Sequence, residues 1–318
     1  MFRQTRHTPA GPIASLVTMG DGKSWVDLLD PTAEEIEAAA GVKLDERELA
    51  LLAGTGEPRP RFFGRADHAV GAFVVPVAVK DEDRVYYQEV DLIVSRDRAL
   101  TVRRTPKGGK PFDPTELKET CEDRDVPPGK VAFHLADIVA ERYLDLIDDL
   151  NEEIDEVEDA LDQDRAGDVH KRISDLRHDI LHIRQTLSPT RDAVHRVVDG
   201  RVEGEAPRLL DAHEITLFSD VYDKLLRAND ALELSRDLIA GVRDFYQSKV
   251  AQTQNEVVQR LTAVASILLF PTFVVGVYGQ NFDHMPELHW HYGYAFSWAV
   301  IILATIGQIV FFRRRKWI

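Results

Sequence analysis

Three histidines, His284, His289 and His291, stand together in the segment DHMPELHWH, around Trp290. Imidazole nitrogens at this density suit Zn2+, Co2+ or Ni2+. The same pattern also fits loop histidines around an interfacial tryptophan. A second concentration of chemistry is acidic: Glu141 to Asp164 carries twelve carboxylates against one arginine, Arg142. Carboxylate oxygens are ligands for hard cations, and they also serve plain solubility. His170, His178, His182 and His195 are spaced among charges on helical faces and read as solvated. No nucleophile is paired with a base, and there is no P-loop or glycine-rich phosphate cradle. Neither an enzyme nor an organic cofactor is expected. The net charge of −15 removes nucleic acid from the expected partners, because phosphate recognition needs a basic surface, and it suits a protein that meets cations.

The elements that must position these residues fall into two regimes. Residues 1–23 read as a loose leader with no apolar core of signal-peptide length. The single cysteine, Cys121, cannot form an internal disulfide and agrees with a reducing cytosol. Trp25 to Pro31 reads as a short strand and turn. Thr32 with Glu35 forms a capping box, which starts a helix through Ala40, and a second helix covers roughly 44–53. Ala69–Val79, Arg84–Val94 and Ala99–Arg103 are rich in β-formers, with polar turns at 80–83 and 95–98. The first part is therefore α/β, with a small mixed sheet.

From about residue 129 the period becomes helical. Leu135, Ile138, Val139, Tyr143, Leu146, Ile147, Leu150, Ile154, Val157 and Leu161 recur at steps of three and four. A second helix carries Ile173, Leu176, Ile180, Ile183 and Leu187, with a kink expected at Ser188-Pro189. Short linkers make the two an antiparallel, coiled-coil-like pair. A third helix begins near Ser219, with Val221, Leu225, Leu232, Leu238, Val242, Tyr246 and Val250 as its apolar positions. It has no reason to stop before Tyr278, which makes it roughly 90 Å long.

The segments 261–278 and 293–312 carry no charge, and each has the length that crosses a ~30 Å hydrocarbon core. Arg313-Arg314-Arg315-Lys316 then places the end of the second span in the cytosol by the positive-inside rule, so the N-terminal part is cytosolic too. The loop of residues 279–292 faces outward. Thr262, Ser266, Thr272 and Gly276 in the first span suit either pore lining or close helix packing. Two helices from one chain cannot enclose a hydrophilic path, so conduction requires several copies about an axis.

Tyr278-Gly279-Gln280-Asn281-Phe282, followed by Met285-Pro286-Glu287-Leu288, resembles the outer-loop signature of the CorA magnesium-transporter family, which carries Tyr-Gly-Met-Asn-Phe and then Met-Pro-Glu-Leu. Trp25-Val26-Asp27-Leu28 with Pro31-Thr32, Asp220-Val221-Tyr222-Asp223, Asn255 through Thr262, and the closing Arg-Arg-Arg-Lys-Trp-Ile match further family patterns in order. The resemblance implies a homopentameric divalent-cation channel in the cell (inner or plasma) membrane, with two spans and both termini cytoplasmic. Selection of hydrated Mg2+ would occur at a ring of Gly279, Gln280 and Asn281. Asn255, Val258, Leu261, Ala265, Leu269, Thr272 and Gly276 would line the pore. Asp244, with Asp81 and Asp83 as the soft-aligned partners, would hold a regulatory Mg2+ between neighbouring cytosolic domains. Gln280 departs from the family methionine and opens the question of the preferred metal. The alternatives are a transporter of Co2+, Ni2+ or Zn2+ on the same architecture, or a non-conducting membrane-anchored scaffold.

The expected organisation is an α/β domain (1–128), an acidic antiparallel helical pair (129–218), a stalk helix running into the first span (219–278), the loop (279–292), the second span (293–312) and a basic tail (313–318).

Overall fold

The structure is a computed structural model. It describes residues 13–19, 23–54, 59–65, 67–79, 84–106, 109–121, 126–162, 169–201, 210–280, 285 and 289–318. The chain forms two compact units, Met1–Val242 and Arg243–Ile318.

The first unit is built on a six-stranded mixed sheet. Its strands are β1 (Ile13–Thr18), β2 (Ser24–Leu29), β3 (Arg61–Gly64), β4 (His68–Val79), β5 (Arg84–Ser95) and β6 (Arg98–Arg103), in the order β1-β2-β6-β5-β4-β3. Among the described strand pairs only β2 and β6 run parallel. Two strands go beyond the sequence reading. Residues 13–18, expected as part of a loose leader, pair with β2 at one edge, and β3 closes the other edge against β4. Both are short and lack the long β-branched runs of β4 and β5, so cross-strand partners rather than propensity fix them.

Helix α1 (Ala33–Ala40) starts at the expected Thr32–Glu35 capping box, and α2 (Glu46–Ala53) has an equivalent box from Asp45 and Glu48. Their apolar faces, with Ile36, Ala40 and Leu52, join Val70, Ile93, Leu100 and Val102 in one core on the sheet. A second aromatic core joins sheet and helices: Phe62 lies 6.1 Å from Phe73 and 6.4 Å from Phe218, and Phe133 lies 6.2 Å from Phe218, centroid to centroid. Gly71 is required there, because a Cβ would sit 2.5 Å from Phe62 Cδ2.

The front motif at Trp25–Leu28 has a structural job. Asp27, buried on β2, accepts from Arg103 Nε at 2.8 Å and Nη2 at 2.7 Å, and from Thr101 Oγ1 at 2.9 Å. Trp25 Nε1 in turn donates to Thr101 at 3.0 Å. The parallel register that pairs Asp27 with Thr101 and Trp25 with Ala99 places these groups side by side.

After α3 (Thr115–Cys121), α4 (Pro128–Asp162) and α5 (Val169–Val198) form the long helical pair. Arg172 near the start of α5 pairs with Glu156 near the end of α4 at 3.0 Å, so the two are antiparallel. Helix α5 continues through Pro189. Helix α6 runs unbroken from Ala212 to Tyr278. In its first half Phe218, Val221, Leu225, Ala228, Leu232, Ser235, Ile239 and Val242 are buried. Those steps alternate three and four, the spacing of a coiled-coil seam. The expected Leu238 is exposed and Ile239 takes its place, because Ile239 continues the three-four step from Ser235. Val250, also expected on the apolar face, is exposed.

Candidate functional site

The second unit holds the end of α6 and helix α7 (Gly293–Arg314). Both contain apolar stretches long enough to cross a membrane, with mean hydropathies of 2.0 and 2.1. Those stretches are only 11% and 6% buried, unlike the core helices of a soluble domain.

On α6 the side nearest α7 is marked by the buried Ala263 and Val274 and by the Ser266 carbonyl, which accepts from Gln308 Nε2 of α7 at 3.4 Å. At ~100° per residue, Val258, Leu261, Ala265, Leu269, Thr272 and Gly276 fall within about 40° of a line directly opposite Val274. Asn255 lies toward the edge of that face. All seven positions are exposed. The composition of this line differs from its flank. Ala265, Thr272 and Gly276 on it are small or hydroxylic, whereas Val257, Val264, Leu268 and Val275 share one flank and are aliphatic. Thr272 Oγ1 donates to the Leu268 carbonyl at 2.8 Å. Its proton is therefore occupied, and its outward-facing chemistry is that of an acceptor.

The helix ends at Tyr278. The Gly279 amide donates to the Val275 carbonyl at 2.8 Å and the Gln280 amide to the Val277 carbonyl at 3.3 Å. Gly279 and Gln280 are both exposed at this carbonyl end, where the helix dipole presents a partial negative charge that favours cations. Asn281 lies outside the described residues, as do Asp81 and Asp83.

Asp244 is described. Its side chain is 70% exposed, with Arg243 Nη2 at 3.2 Å. His289 Nδ1 lies 3.4 Å from the Met285 carbonyl and His291 stacks edge-on against Tyr292, while His284 lies outside the described residues. Among the described residues no three His, Cys, Asp or Glu side chains are grouped to hold a metal ion. The acidic face of α4 borders a cleft of about 560 Å³ with Glu116, Glu141, Asp145, Asp148 and Asp149 on its walls. Arg142 stands among them, over the Phe112 ring at 4.9 Å.

Sequence reasoning missed Gln308. An amide inside an uncharged span was the available signal, since such a group needs a partner within the protein. In the structure it reaches across to the Ser266 carbonyl of α6.

Residues 20–314 match the family described as CorA-like Mg2+ transporter protein. The chain belongs to that family. CorA-type relatives agree along most of its length. It is 32% identical to the putative metal ion transporter YfjQ of Bacillus subtilis, over 80% of this chain and 78% of that one. It is 29% identical to the cobalt/magnesium transport protein CorA of Thermotoga maritima, over 73% of this chain and 65% of that one. The solved structure of the CorA magnesium transporter from Methanocaldococcus jannaschii superposes with a TM-score of 0.75 at 20% identity, covering 93% of this chain and 92% of that one. As a CorA-type protein the chain is a two-span membrane protein, with α7 and the end of α6 as its spans.

Proposed function

We propose that this protein is the subunit of a homopentameric divalent-cation channel that admits Mg2+ from outside the cell. Divalent-cation transport follows from the family. One observation carries the pore, its ring and the ion. A line of small, hydroxylic and aliphatic side chains on α6, opposite α7, ends at the carbonyl terminus that precedes Gly279, Gln280 and Asn281. Five such lines facing one axis make a pore wall from helices that cannot enclose one alone.

The chemistry suits a hydrated ion. Mg2+ holds its octahedral water shell tightly, so a ring of neutral acceptors that takes hydrogen bonds from those waters selects the ion without stripping it. The Gly279 carbonyl and the amides of Gln280 and Asn281 are such acceptors. Below them Thr272 adds a hydroxyl oxygen, and Leu269, Leu261 and Val258 form an apolar stretch that closes by dewetting. Asp244, with Asp81 and Asp83 from a neighbouring copy, serves as a regulatory Mg2+ site that favours the closed state.

The deciding experiment is cation flux into liposomes holding the purified protein, with Mg2+, Co2+, Ni2+ and Zn2+ compared. Mg2+ influx saturating with concentration supports this reading. Flux of only the transition metals moves the protein to the Co2+, Ni2+ or Zn2+ alternative, and no flux leaves the scaffold.

A further inference from the structure

The chain reverses sharply where α7 ends. Lys316 takes a left-handed conformation at φ 57°, a position that glycine usually fills. The Lys316 amide donates to the Arg313 carbonyl at 3.2 Å and the Trp317 amide to the Phe312 carbonyl at 3.0 Å. These are the two bonds of a Schellman motif. Its apolar contact is present as well: the Trp317 ring stacks on Phe312, with centroids 5.6 Å apart and planes inclined by 21°. Arg315 lies over Phe311 at 5.8 Å.

The hook has two consequences. It turns Trp317 back along the helix end instead of letting the tail extend. It also keeps the four cations at one level. Arg313, Arg314 and Arg315 are successive residues, about 100° apart around the axis, so they spread around the helix end as a collar rather than a stripe. Arg313, Arg314, Arg315 and Lys316 are all exposed. Among the described residues no carboxylate pairs with any of them. Twenty uncharged residues precede the collar, which sets it at the membrane edge.

We propose that this hook is a binding site for anionic phospholipid headgroups of the cytosolic leaflet. Lipid phosphates lie at the level of the collar, arginine matches phosphate in fork geometry, and an indole held at the same level is an interfacial anchor. The helix dipole favours cations at this end and the positive-inside rule requires them near it. Neither calls for an indole stacked on Phe312 at the level of the cations.

Native mass spectrometry of the full-length protein, released from detergent with phosphatidylglycerol and phosphatidylcholine present, tests the site. Wild type retains phosphatidylglycerol preferentially. Arg313→Gln/Arg315→Gln, which keeps Arg314 and Lys316 for orientation, lowers that preference by about fivefold or more. Trp317→Ala, which keeps every cation, lowers it less. An unchanged preference in the double variant overturns the proposal. So does a lowered melting temperature in lipid-free neutral detergent with the lipid preference intact, which would assign the arginines to a protein carboxylate. If the double variant does not insert, Trp317→Ala decides alone, and an unchanged preference there overturns the site.

Discussion

At the scale of single residues, Gln280 is the position where the proposed ring differs from the family signature that the sequence resembles. If the ring holds a hydrated ion, Asn281 and the Gly279 carbonyl are the fixed acceptors, and the middle side chain shapes the ring around them. Gln280→Met should then preserve Mg2+ flux and shift apparent affinity severalfold, because one neutral hydrogen bond contributes ~1 kcal/mol net. Asn281→Ala should abolish flux, since every copy loses the same acceptor at once. Liposome flux on the two variants checks both, and the opposite pattern would reverse the two roles. A second residue-scale prediction concerns the sheet. Arg103→Met leaves the Asp27 carboxylate, 1% exposed, without its bidentate partner. Breaking a buried pair from one side costs about 3–5 kcal/mol, so urea unfolding should begin at clearly lower concentration, with the loss centred on the first unit.

At the scale of elements, the entry into α6 carries a pH dependence. Glu214 closes a capping box with Asp211, accepting the Asp211 amide at 2.7 Å. Its other oxygen is buried beside Gly129 at the start of α4 and accepts no hydrogen bond among the described residues. Burial raises the Glu214 carboxyl above its ordinary range, and the nearby Asp211 charge adds to this, while the Asp211 amide and Lys130 oppose it. The folded state therefore holds this proton more tightly than the unfolded chain does. The associated stability is fully present below the unfolded value and is lost as pH rises through the raised folded one. Glu214→Gln keeps the box and removes the titration. Measured as melting temperature, the variant should gain on wild type as pH rises from the acidic range to neutral. A constant difference across that range would refute the assignment. The seam of α6 shows a related economy. Ser235, buried at a position otherwise apolar, donates to the half-buried Asn151 of α4 at 2.6 Å, and a polar pair in a helical seam favours one register.

At the scale of the whole molecule, the proposal requires assembly. The full-length protein in mild detergent should have the mass of five chains by native mass spectrometry, and a monomer there would sink the channel reading. Regulation belongs to this scale too. A bridging ion stabilises only the state in which its ligands meet, and it biases closure by its differential affinity. Asp244→Ala should leave liposome flux less inhibited by millimolar Mg2+ on the cytosolic side. Unchanged inhibition would return Asp244 to an ordinary surface carboxylate paired with Arg243.

Periodicity and composition determined much of this protein unaided. The uncharged runs, the basic residues after the second, the capping box at Thr32 and the long strands β4 and β5 are local signals, each written within a few adjacent residues. The line from Val258 to Gly276 came from the family resemblance, and helical spacing is consistent with it because it puts those residues on one face. Tertiary structure decided what depends on distant partners. Residues 13–18 become a strand only because β2 offers an edge, and β3 only because β4 does. Ile239 rather than Leu238 enters the seam because α4 and α5 fix the side on which α6 is covered, and two neighbouring aliphatic residues look alike to a periodicity count. Asp27 reads as one more carboxylate until the parallel pairing of β2 with β6 brings Thr101 and Arg103 beside it. Helical spacing showed that the proposed pore positions share a face. Only the burial of Ala263 and Val274, with the Gln308–Ser266 contact between residues 42 apart, showed which side of the helix is covered.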